Sequence, residues 1–291
     1  MDLSIIVINY KTKDLTLQTL KSVFAARPPK NKFEVILVDN GSNDDTPAVV
    51  RKKFSQVKII EAATNLGFAG GNNLGLRRAK GRFLLLLNSD TLINKNTLVK
   101  MIEYMDDNPG VGLSTCRVEL VTGAIDPASH RGFPTPWASL TYYLGLEKLF
   151  PKSRIFARYH QGWKDLAASH EIDTPVGAFF MIRREALRQV GLLDEKFFMY
   201  GEDIDLAFRI KQAGWQIMYT PITKITHLKG ASGINKPVKE IRLRTTMAFF
   251  EAMKLFYRKH YAKRYFFALK WLVFLGINSV KLWKIVKIKF S

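Results

Sequence analysis

The chain has 291 residues, 47% of them hydrophobic, and this length and composition exclude general disorder and allow one large core or two fused lobes. It carries 45 Lys and Arg against 25 Asp and Glu, a formal net charge of +20 that favours anionic partners such as nucleotides, phospholipid surfaces or nucleic acid. The single cysteine, Cys116, cannot form an internal disulfide, and no basic segment followed by an apolar core opens the chain, so we expect a cytoplasmic location and no export signal.

Strands and helices alternate along the first third of the chain. Short apolar runs predict four strands, at 3–8, 33–38, 57–60 and 83–87. Helical periodicity predicts three helices, at 15–25, at 46–54 and after Gly71. This alternation indicates an α/β fold with a Rossmann-like, mostly parallel sheet flanked by helices. In such sheets ligands bind beyond the carboxyl ends of the strands, and we expect the functional site there.

Polar residues follow three of these predicted strands. They are Asn9 and Tyr10 after the first, Asp39 after the second, and Asn88, Ser89 and Asp90 after the fourth. One crevice at the sheet edge would collect all three groups, and a carboxylate at a strand end can hold a divalent cation. The segment at 39–42 is also good turn and helix-capping chemistry, so a purely local role stays open.

A glycine-rich segment at 65–73 leads into the third predicted helix. Its glycines permit close backbone contact with a phosphate or a sugar, which makes Asn65, Gly67, Gly71 and Asn72 candidate donor-binding residues. The segment matches neither the dinucleotide G-x-G-x-x-G pattern nor the P-loop, so hydride transfer and ATP hydrolysis lose support. Glycine also serves tight turns, and a structural role for the segment stays open.

A second acidic element lies at 202–205. Glu202, Asp203 and Asp205 follow an aromatic run at 197–200 and precede a helical pattern, which places a catalytic carboxylate at the entrance of a helix. Together with Asp90, this element suggests metal-assisted sugar transfer. The cation would neutralise a diphosphate leaving group, and the second carboxylate would remove a proton from an acceptor hydroxyl.

The pattern weakens between residues 122 and 173, where prolines are scattered among aromatic residues. Such a long irregular stretch is often a binding region or a lid. Trp163 is a candidate to stack on an acceptor sugar, and Arg131 is a candidate to meet a phosphate. Ordinary core packing is the alternative for each aromatic residue.

The C-terminal segment combines cations with aromatic residues. From Arg242 to Ser291 there are 12 Lys and Arg and one acid, Glu251, which gives this segment a charge of +11. Basic residues alternating with aromatics on a helical pattern are typical of an amphipathic helix at a membrane surface. The apolar stretch at 265–280 is shorter than the ~20 residues of a spanning helix, so we expect it to lie on the membrane. A solvated helical face packed on the main domain is the alternative.

Eight motifs occur in a characteristic order between residues 3 and 233. They are IIVINY at 5–10, VDNGS at 38–42, NLGFAGGN at 65–72, LNSD at 87–90, GAFFMIRR at 177–184, GLLDEKFF at 191–198, Glu202-Asp203 and His227. In this order and spacing they resemble the inverting family 2 glycosyltransferases with the GT-A fold, in the rhamnosyltransferase-like branch. The resemblance implies a nucleotide-sugar-binding half at 1–115 and an acceptor-binding and catalytic half at 116–235. The basic and aromatic composition described above predicts a membrane-associating amphipathic helical extension at 236–291.

The resemblance also implies how the donor is held. Asp39 would recognise the nucleotide base beside the turn at 9–10. Asp90 would be the last residue of the D-x-D motif and would bind Mg²⁺ or Mn²⁺ at the donor diphosphate. His227 would complete the metal shell or contact the diphosphate. The first position of that motif is Asn88, whose amide oxygen is a weaker metal ligand than a carboxylate, and this departure puts one ligand in doubt.

On the acceptor side, the resemblance implies that Asp203 is the general base and that Glu202 beside it contacts the acceptor. Gly177 and Ala178 would line the same side. These two acidic residues fit an in-line displacement, which needs a base on the face opposite the leaving nucleotide.

The expected function is transfer of a deoxysugar, with dTDP-β-L-rhamnose as the expected donor, to a polyprenyl-diphosphate-linked saccharide at the cytoplasmic face of the bacterial inner membrane. Such an enzyme would serve O-antigen, polysaccharide or cell-wall assembly. A UDP-hexose or UDP-galactofuranose donor is an alternative within the fold. A nucleic-acid-binding protein is a different class, disfavoured because the charge concentrates in an apolar, aromatic segment rather than in a recognition module. A catalytically silent membrane scaffold is a third class, for which Asn88 is the only hint.

Overall fold

The computed structural model describes residues 1–26, 32–228 and 239–290, and within them nine strands share one sheet. The strands are β1 (Leu3–Asn9), β2 (Phe33–Asp39), β3 (Lys58–Glu61), β4 (Phe83–Asn88), β5 (Thr91–Ile93), β6 (Val111–Leu120), β7 (His170–Glu171), β8 (Phe179–Arg183) and β9 (Gln216–His227). The helices are α1 (Lys13–Ala25), α2 (Thr46–Lys53), α3 (Gly67–Arg78), α4 (Thr97–Asp107), α5 (Pro136–Tyr143), α6 (Leu146–Leu149), α7 (Arg184–Val190), α8 (Glu202–Gln212), α9 (Lys239–His260) and α10 (Phe267–Phe290), with a 3₁₀ turn at Pro127–Ser129.

The sheet order is β3-β2-β1-β4-β8-β6-β9-β5, and β7 pairs with β9 outside this path. The first four strands are mutually parallel, as the βα alternation predicts. β8 is antiparallel to both β4 and β6, and β9 runs parallel to β6. The carboxyl ends of β1, β2, β4, β6 and β9 therefore lie along one edge of the sheet, and this edge carries the candidate site.

Helices cover both faces of the sheet, which explains why β1 and β4 are nearly continuous apolar runs. On one face α1 and α4 contribute Leu20 and Met101 to the core, and on the other α3 and α8 contribute Leu76 and Leu206. Cys116 lies fully buried in β6, where burial raises the pKa of its thiol well above the ordinary value.

The glycine-rich segment belongs to α3 itself, which begins at Gly67 and not after Gly71. Gly67 has a φ of +75°, and a Cβ there would lie 2.3 Å from the Phe198 carbonyl oxygen. A Cβ on Gly71 would lie 2.3 Å from Cδ1 of Ile8 in β1. The absence of a side chain lets α3 approach Phe198 at Gly67 and β1 at Gly71. This close approach supports a structural role for both glycines, the alternative to donor binding.

Regular structure also occurs in the stretch at 122–173, where the sequence shows only scattered prolines and aromatics. The Thr135 hydroxyl caps α5 by accepting a hydrogen bond from the Ala138 amide at 3.1 Å, and Pro136 occupies the first turn. Thr135-Pro136 is thus a helix-start signal, and the prediction of an irregular stretch was wrong over α5 and α6.

The C-terminal extension consists of two antiparallel helices. Phe256 of α9 packs edge to face on Phe208 of α8 with ring centroids 5.7 Å apart, and Lys281 of α10 reaches Glu251 of α9 at 2.7 Å. Within residues 1–26, 32–228 and 239–290, no helix is both long enough and apolar enough to cross a membrane. The predicted boundary between 235 and 236 and the end of the resemblance at 233 lie outside the described residues.

Candidate active site

The polar groups that follow β1, β2 and β4 meet in one hydrogen-bonded network. Asn9 Nδ2 donates to Asp39 Oδ1 at 2.6 Å and to Ser42 Oγ at 2.9 Å. Thr12 Oγ1 donates to Asn9 Oδ1 at 2.9 Å and shares a 3.0 Å hydrogen bond with Ser89 Oγ. Asn9 is completely buried, so its side chain orients Asp39 and does not reach solvent.

The glycine-rich segment is tied to the same network. Asn65 Oδ1 accepts hydrogen bonds from Asn40 Nδ2 at 3.1 Å and from the Gly67 amide at 2.9 Å. Asn72 is buried and donates to a carbonyl one turn earlier in α3. Of the predicted donor-binding residues, Tyr10 is the one with a largely exposed ring, at 41%. Tyr10 therefore lies at the rim of the crevice, while the asparagine side chains form hydrogen bonds within the protein.

His227, the last residue of β9, lies between two buried carboxylates. Its Nδ1 is 3.0 Å from Asp126 Oδ2, and its Nε2 is 3.2 Å from Asp90 Oδ1. Burial alone would lower the pKa of His227, but the hydrogen bonds to Asp126 and Asp90 raise it to about 9. The structure thus brings the two predicted metal-binding residues together and places Asp126 on the other ring nitrogen of His227.

These residues fit a divalent cation. Asn88 Oδ1, two residues before Asp90, is buried and accepts no hydrogen bond from the described residues. Carboxylate and amide oxygens suit Mg²⁺ and Mn²⁺, and Asp126 behind His227 is the kind of partner that fixes the orientation of a ligating imidazole. No set of three or more His, Cys, Asp or Glu side chains in the described parts of the chain is arranged to hold a metal by itself.

The second acidic element opens α8, directly after Gly201. Arg131 Nη2 donates to Asp203 Oδ2 and to the Pro175 carbonyl, each at 2.9 Å. Glu202 is buried, and its Oε2 accepts no hydrogen bond within the described chain. Burial raises the pKa of Glu202 well above its ordinary value, and the neighbouring Asp203 raises it further. The pair therefore combines a buried acid of raised pKa with a carboxylate held by a guanidinium.

The characteristic sequence pattern of glycosyl transferase family 2 matches residues 4–191. The chain belongs to this glycosyltransferase family. Its relatives include an N-acetylglucosaminyl-diphospho-decaprenol L-rhamnosyltransferase of Mycobacterium tuberculosis, 23% identical over 218 residues that cover 71% of this chain and 70% of the relative.

Two solved structures have the same fold. A mannosyltransferase from Pyrobaculum calidifontis in complex with GDP-Man and Mn²⁺ superposes with a TM-score of 0.62 at 18% identity, covering 99% of this chain and 72% of the other. GalNAc-T7 with UDP, GalNAc and Mn²⁺ superposes with a TM-score of 0.60 at 16% identity over 88% of this chain, which spans 50% of the length of GalNAc-T7. These likenesses confirm the GT-A fold that the motifs predict.

The residues expected on the acceptor side of this family 2 glycosyltransferase have different environments. Arg131 donates through Nη2 to Asp203 and to the Pro175 carbonyl, so this nitrogen positions the carboxylate, and a phosphate-binding role of Arg131 stays a prediction. Ala178 is fully buried, and its carbonyl accepts from the Asn88 amide at 3.4 Å. A Cβ on Gly177 would lie 3.9 Å from Asn88 Oδ1. The segment at 175–178 therefore links the two acidic elements through its backbone.

Trp163 lies apart from these contacts. It lines a surface depression of about 320 Å³ with Arg154, Lys164, Asp165, Ala168 and His170, a set that includes no other predicted site residue. An acceptor-stacking role for Trp163 therefore stays a prediction, without a contact that links it to Asp203.

Sequence reasoning missed Asp126 in this glycosyltransferase. The residue precedes Pro127 and caps the 3₁₀ turn by accepting from the Ala128 amide at 3.0 Å, so locally it looks like a capping aspartate. Its other oxygen contacts His227, which is 101 positions away in the sequence. The only local hint is that a capping role needs one carboxylate oxygen and leaves the second available.

Proposed function

We propose that this chain is a metal-dependent inverting glycosyltransferase that moves L-rhamnose from dTDP-β-L-rhamnose to a hydroxyl of a polyprenyl-diphosphate-linked saccharide. The similarity to the mycobacterial rhamnosyltransferase supports this donor and acceptor class. One structural observation carries the proposal. The short backbone segment at 175–178 joins two groups of side chains. One is the pair of Asp90 and His227, which suits a cation, and the other is the pair of Glu202 and Asp203, which suits proton transfer.

That segment sets the relative placement of the two groups. At one end of the segment, the Pro175 carbonyl accepts a hydrogen bond from Arg131, which also donates to Asp203. At the other end, the Ala178 carbonyl accepts from the backbone amide of Asn88. A sugar between Asp203 and Asp90 would have a base on one side and the diphosphate on the other. This arrangement is the one that inversion requires, because the acceptor oxygen enters opposite the leaving group.

In the proposed reaction, Asp39 contacts the nucleotide base, and Asn9 and Ser42 hold its carboxylate in place. Asp90, His227 and the side-chain amide oxygen of Asn88 would hold the cation, which would supply positive charge for the diphosphate.

On the acceptor side of the same reaction, Asp203 accepts the proton of the attacking hydroxyl, and the hydrogen bond from Arg131 to Oδ2 fixes the orientation of that carboxylate. Glu202, neutral in its buried position, is proposed to donate a hydrogen bond to the acceptor.

The membrane contact of the proposed function rests on α10. Only Ile277 and Ile288 of this helix are buried, whereas Trp271 and Trp283 are 60% and 61% exposed. A helix with this much exposed apolar and aromatic surface and with several lysines is suited to lie in the interface of an anionic leaflet. We propose that it holds the enzyme at the cytoplasmic face of the inner membrane, near the lipid-linked acceptor.

The test is a thermal-stability screen with dTDP, UDP, GDP and CDP, each with Mn²⁺, with Mg²⁺ and with EDTA, followed by turnover of the matching nucleotide sugar on a polyprenyl-diphosphate-linked saccharide. Binding to the native state raises the melting temperature by mass action. A metal-dependent shift with dTDP and turnover of dTDP-β-L-rhamnose are expected. A shift with UDP alone would replace the donor by a UDP-hexose or UDP-galactofuranose, and no shift with any nucleotide would contradict an enzyme.

A further inference from the structure

A second exposed apolar surface lies far from α10 in the sequence. It is formed by α5, α6 and the turn that follows them, and we call it the α5–α6 surface. Its most exposed large side chains are Trp137, Leu140, Leu144, Leu149, Phe150 and Ile155, each between 43% and 70% exposed. A cluster of this kind on a folded chain marks an interaction site, because single exposed apolar residues are ordinary and a group of them is not.

The charge of the same segment indicates the chemistry of its partner. Residues 136–158 contain four cations, Lys148, Lys152, Arg154 and Arg158, all exposed, and one acid, Glu147. Glu147 is buried and accepts hydrogen bonds from its own segment, at 3.0 Å from the backbone amide of His160 and at 2.8 Å from its Nδ1. The surface therefore presents apolar and positively charged groups together, without an exposed acid. Two copies of this face would repel each other, whereas an anionic partner would be attracted.

The surface is attached both to the C-terminal helices and to the acidic pair. Tyr143 of α5 places its hydroxyl 3.7 Å from Sδ of Met253 in α9, the helix on which α10 packs. At its other end, the segment is held by a 2.7 Å hydrogen bond from the Gly132 amide to the Tyr159 carbonyl, next to Arg131, the partner of Asp203. It thus connects the proposed membrane helix with the acceptor side of the site.

We propose that the α5–α6 surface is a second membrane contact, whose apolar side chains insert into the interface of a bilayer while its cations meet anionic headgroups. The proposal rests on the proposed function for the nature of the acceptor, and it adds a second point of attachment. One amphipathic helix fixes the enzyme to a surface but lets it rotate about the helix axis. A second contact, carried by the segment that meets α9 at Met253, restricts that rotation, so the acceptor side of the cleft faces the leaflet.

The test is co-sedimentation of the full chain with vesicles of phosphatidylcholine alone or with about one-third phosphatidylglycerol, an anionic fraction that gives the surface a negative potential. The test variant is Leu144→Ser with Leu149→Ser. The control is Ile222→Ser, an exposed apolar residue of β9 beside Lys100 of α4, on the opposite face of the sheet from α8. We expect the double variant to bind anionic vesicles at least roughly tenfold more weakly, because two inserted side chains are lost, and the control to bind like the original chain.

A charge variant, Lys148→Glu with Arg154→Glu, is expected to weaken binding to anionic vesicles only. Both double variants should keep the nucleotide-dependent thermal shift, which separates loss of membrane contact from unfolding and from failure of the proposed enzymatic function. Unchanged vesicle binding in both double variants of the α5–α6 surface would overturn the proposal. The proposal would also be overturned if Trp271→Ser with Trp283→Ser abolished vesicle binding while the variants of the α5–α6 surface bound like the original chain. A concentration-dependent dimer abolished by Leu144→Ser with Leu149→Ser would also overturn it, because the occupant would then be a second copy.

Discussion

Arg131 donates a 2.9 Å hydrogen bond to Asp203 although the two residues are 72 positions apart in the sequence. Both side chains are largely buried, with 11% and 15% of their surface exposed. The guanidinium fixes the orientation of such a carboxylate through a charge-assisted hydrogen bond to Oδ2, while Oδ1 accepts from the backbone amide of Ile204. Arg131 therefore orients the carboxylate of Asp203, the proposed general base.

Asp203→Asn tests this assignment. The amide keeps the shape of the side chain but cannot take a proton, so we expect turnover to fall by about 10²–10⁴-fold, the usual contribution of a positioned base. Nucleotide binding, measured by the thermal shift with Mn²⁺, should be unchanged. Asp107→Asn, an exposed carboxylate near the end of α4, is the matched control and should keep full turnover. Equal turnover in both variants would remove Asp203 from the mechanism.

Asp126 is expected to act through His227. Asp126→Ala removes the group that fixes the imidazole, so we expect the affinity for Mn²⁺ in the presence of nucleotide to fall by about 10–100-fold, as for other partners of metal-ligating histidines. Asp126→Asn keeps an oxygen that can accept from Nδ1 and should lose less. Calorimetric titration with Mn²⁺ measures both. An unchanged affinity in Asp126→Ala would mean that His227 is not a ligand.

Asp205 attaches the C-terminal helices to the glycosyltransferase core. Its carboxylate is fully buried in α8 and lies 2.7 Å from His260 Nε2, 2.8 Å from Lys259 Nζ and 2.9 Å from Arg209 Nε. Breaking this buried group by Asp205→Asn should lower the free energy of unfolding by roughly 3 kcal/mol. Denaturant unfolding measures the loss. Asp107→Asn, which removes an exposed carboxylate, should change it by less than about 0.5 kcal/mol.

The same carboxylate predicts an acid dependence of stability. Burial alone would raise the pKa of Asp205, but the hydrogen bonds from His260 and Lys259 lower it to about 2. Its folded pKa is below the unfolded value of about 3.9, so its contribution is complete above that value and is lost as the pH falls towards 2. Unfolding measured between pH 5 and pH 2 should show a smaller loss of stability in Asp205→Asn than in the original chain. Parallel curves would contradict the prediction.

Gly67 and Gly71 should respond differently to alanine. At Gly67 the added Cβ meets a backbone carbonyl, and the residue has a φ of +75°, so we expect Gly67→Ala to cost at least about 2 kcal/mol. At Gly71 the Cβ meets the end of the Ile8 side chain, which can rotate, so the cost should be smaller. Thermal unfolding of the two variants compares them directly. A larger loss of stability in Gly71→Ala would show that the close contact of α3 with β1, and not the backbone conformation of Gly67, is the stronger reason for glycine in this segment.

The first third of the fold follows from the sequence because its signals are local. The strands are covered on both faces and are therefore continuous apolar runs, and parallel strands bring Asn9, Asp39 and Asp90 to one edge. The start of α3 was misplaced because glycines within a helix resemble a loop when the close approach of Ile8 is unknown.

The contacts that the sequence could not supply are non-local. The sequence does not show that Arg131 contacts the carboxylate of Asp203, or that Asp126 contacts His227 as well as capping its own turn. Nothing in a single sequence indicates which carboxylate a given cation or imidazole will meet across more than 70 positions. The motif resemblance singles out Asp203 and His227, but it does not give their contacts with Arg131 and Asp126.

The buried thiol of Cys116 has a practical consequence. A thiol without solvent access and with a raised pKa reacts slowly with maleimides and methanethiosulfonates, and the chain has no other cysteine. The unmodified protein is thus a ready background in which one cysteine introduced at Leu149 or Trp271 would carry a spin label or a fluorophore alone. Quenching of such labels by lipid-borne probes would then read the immersion depth of each surface separately.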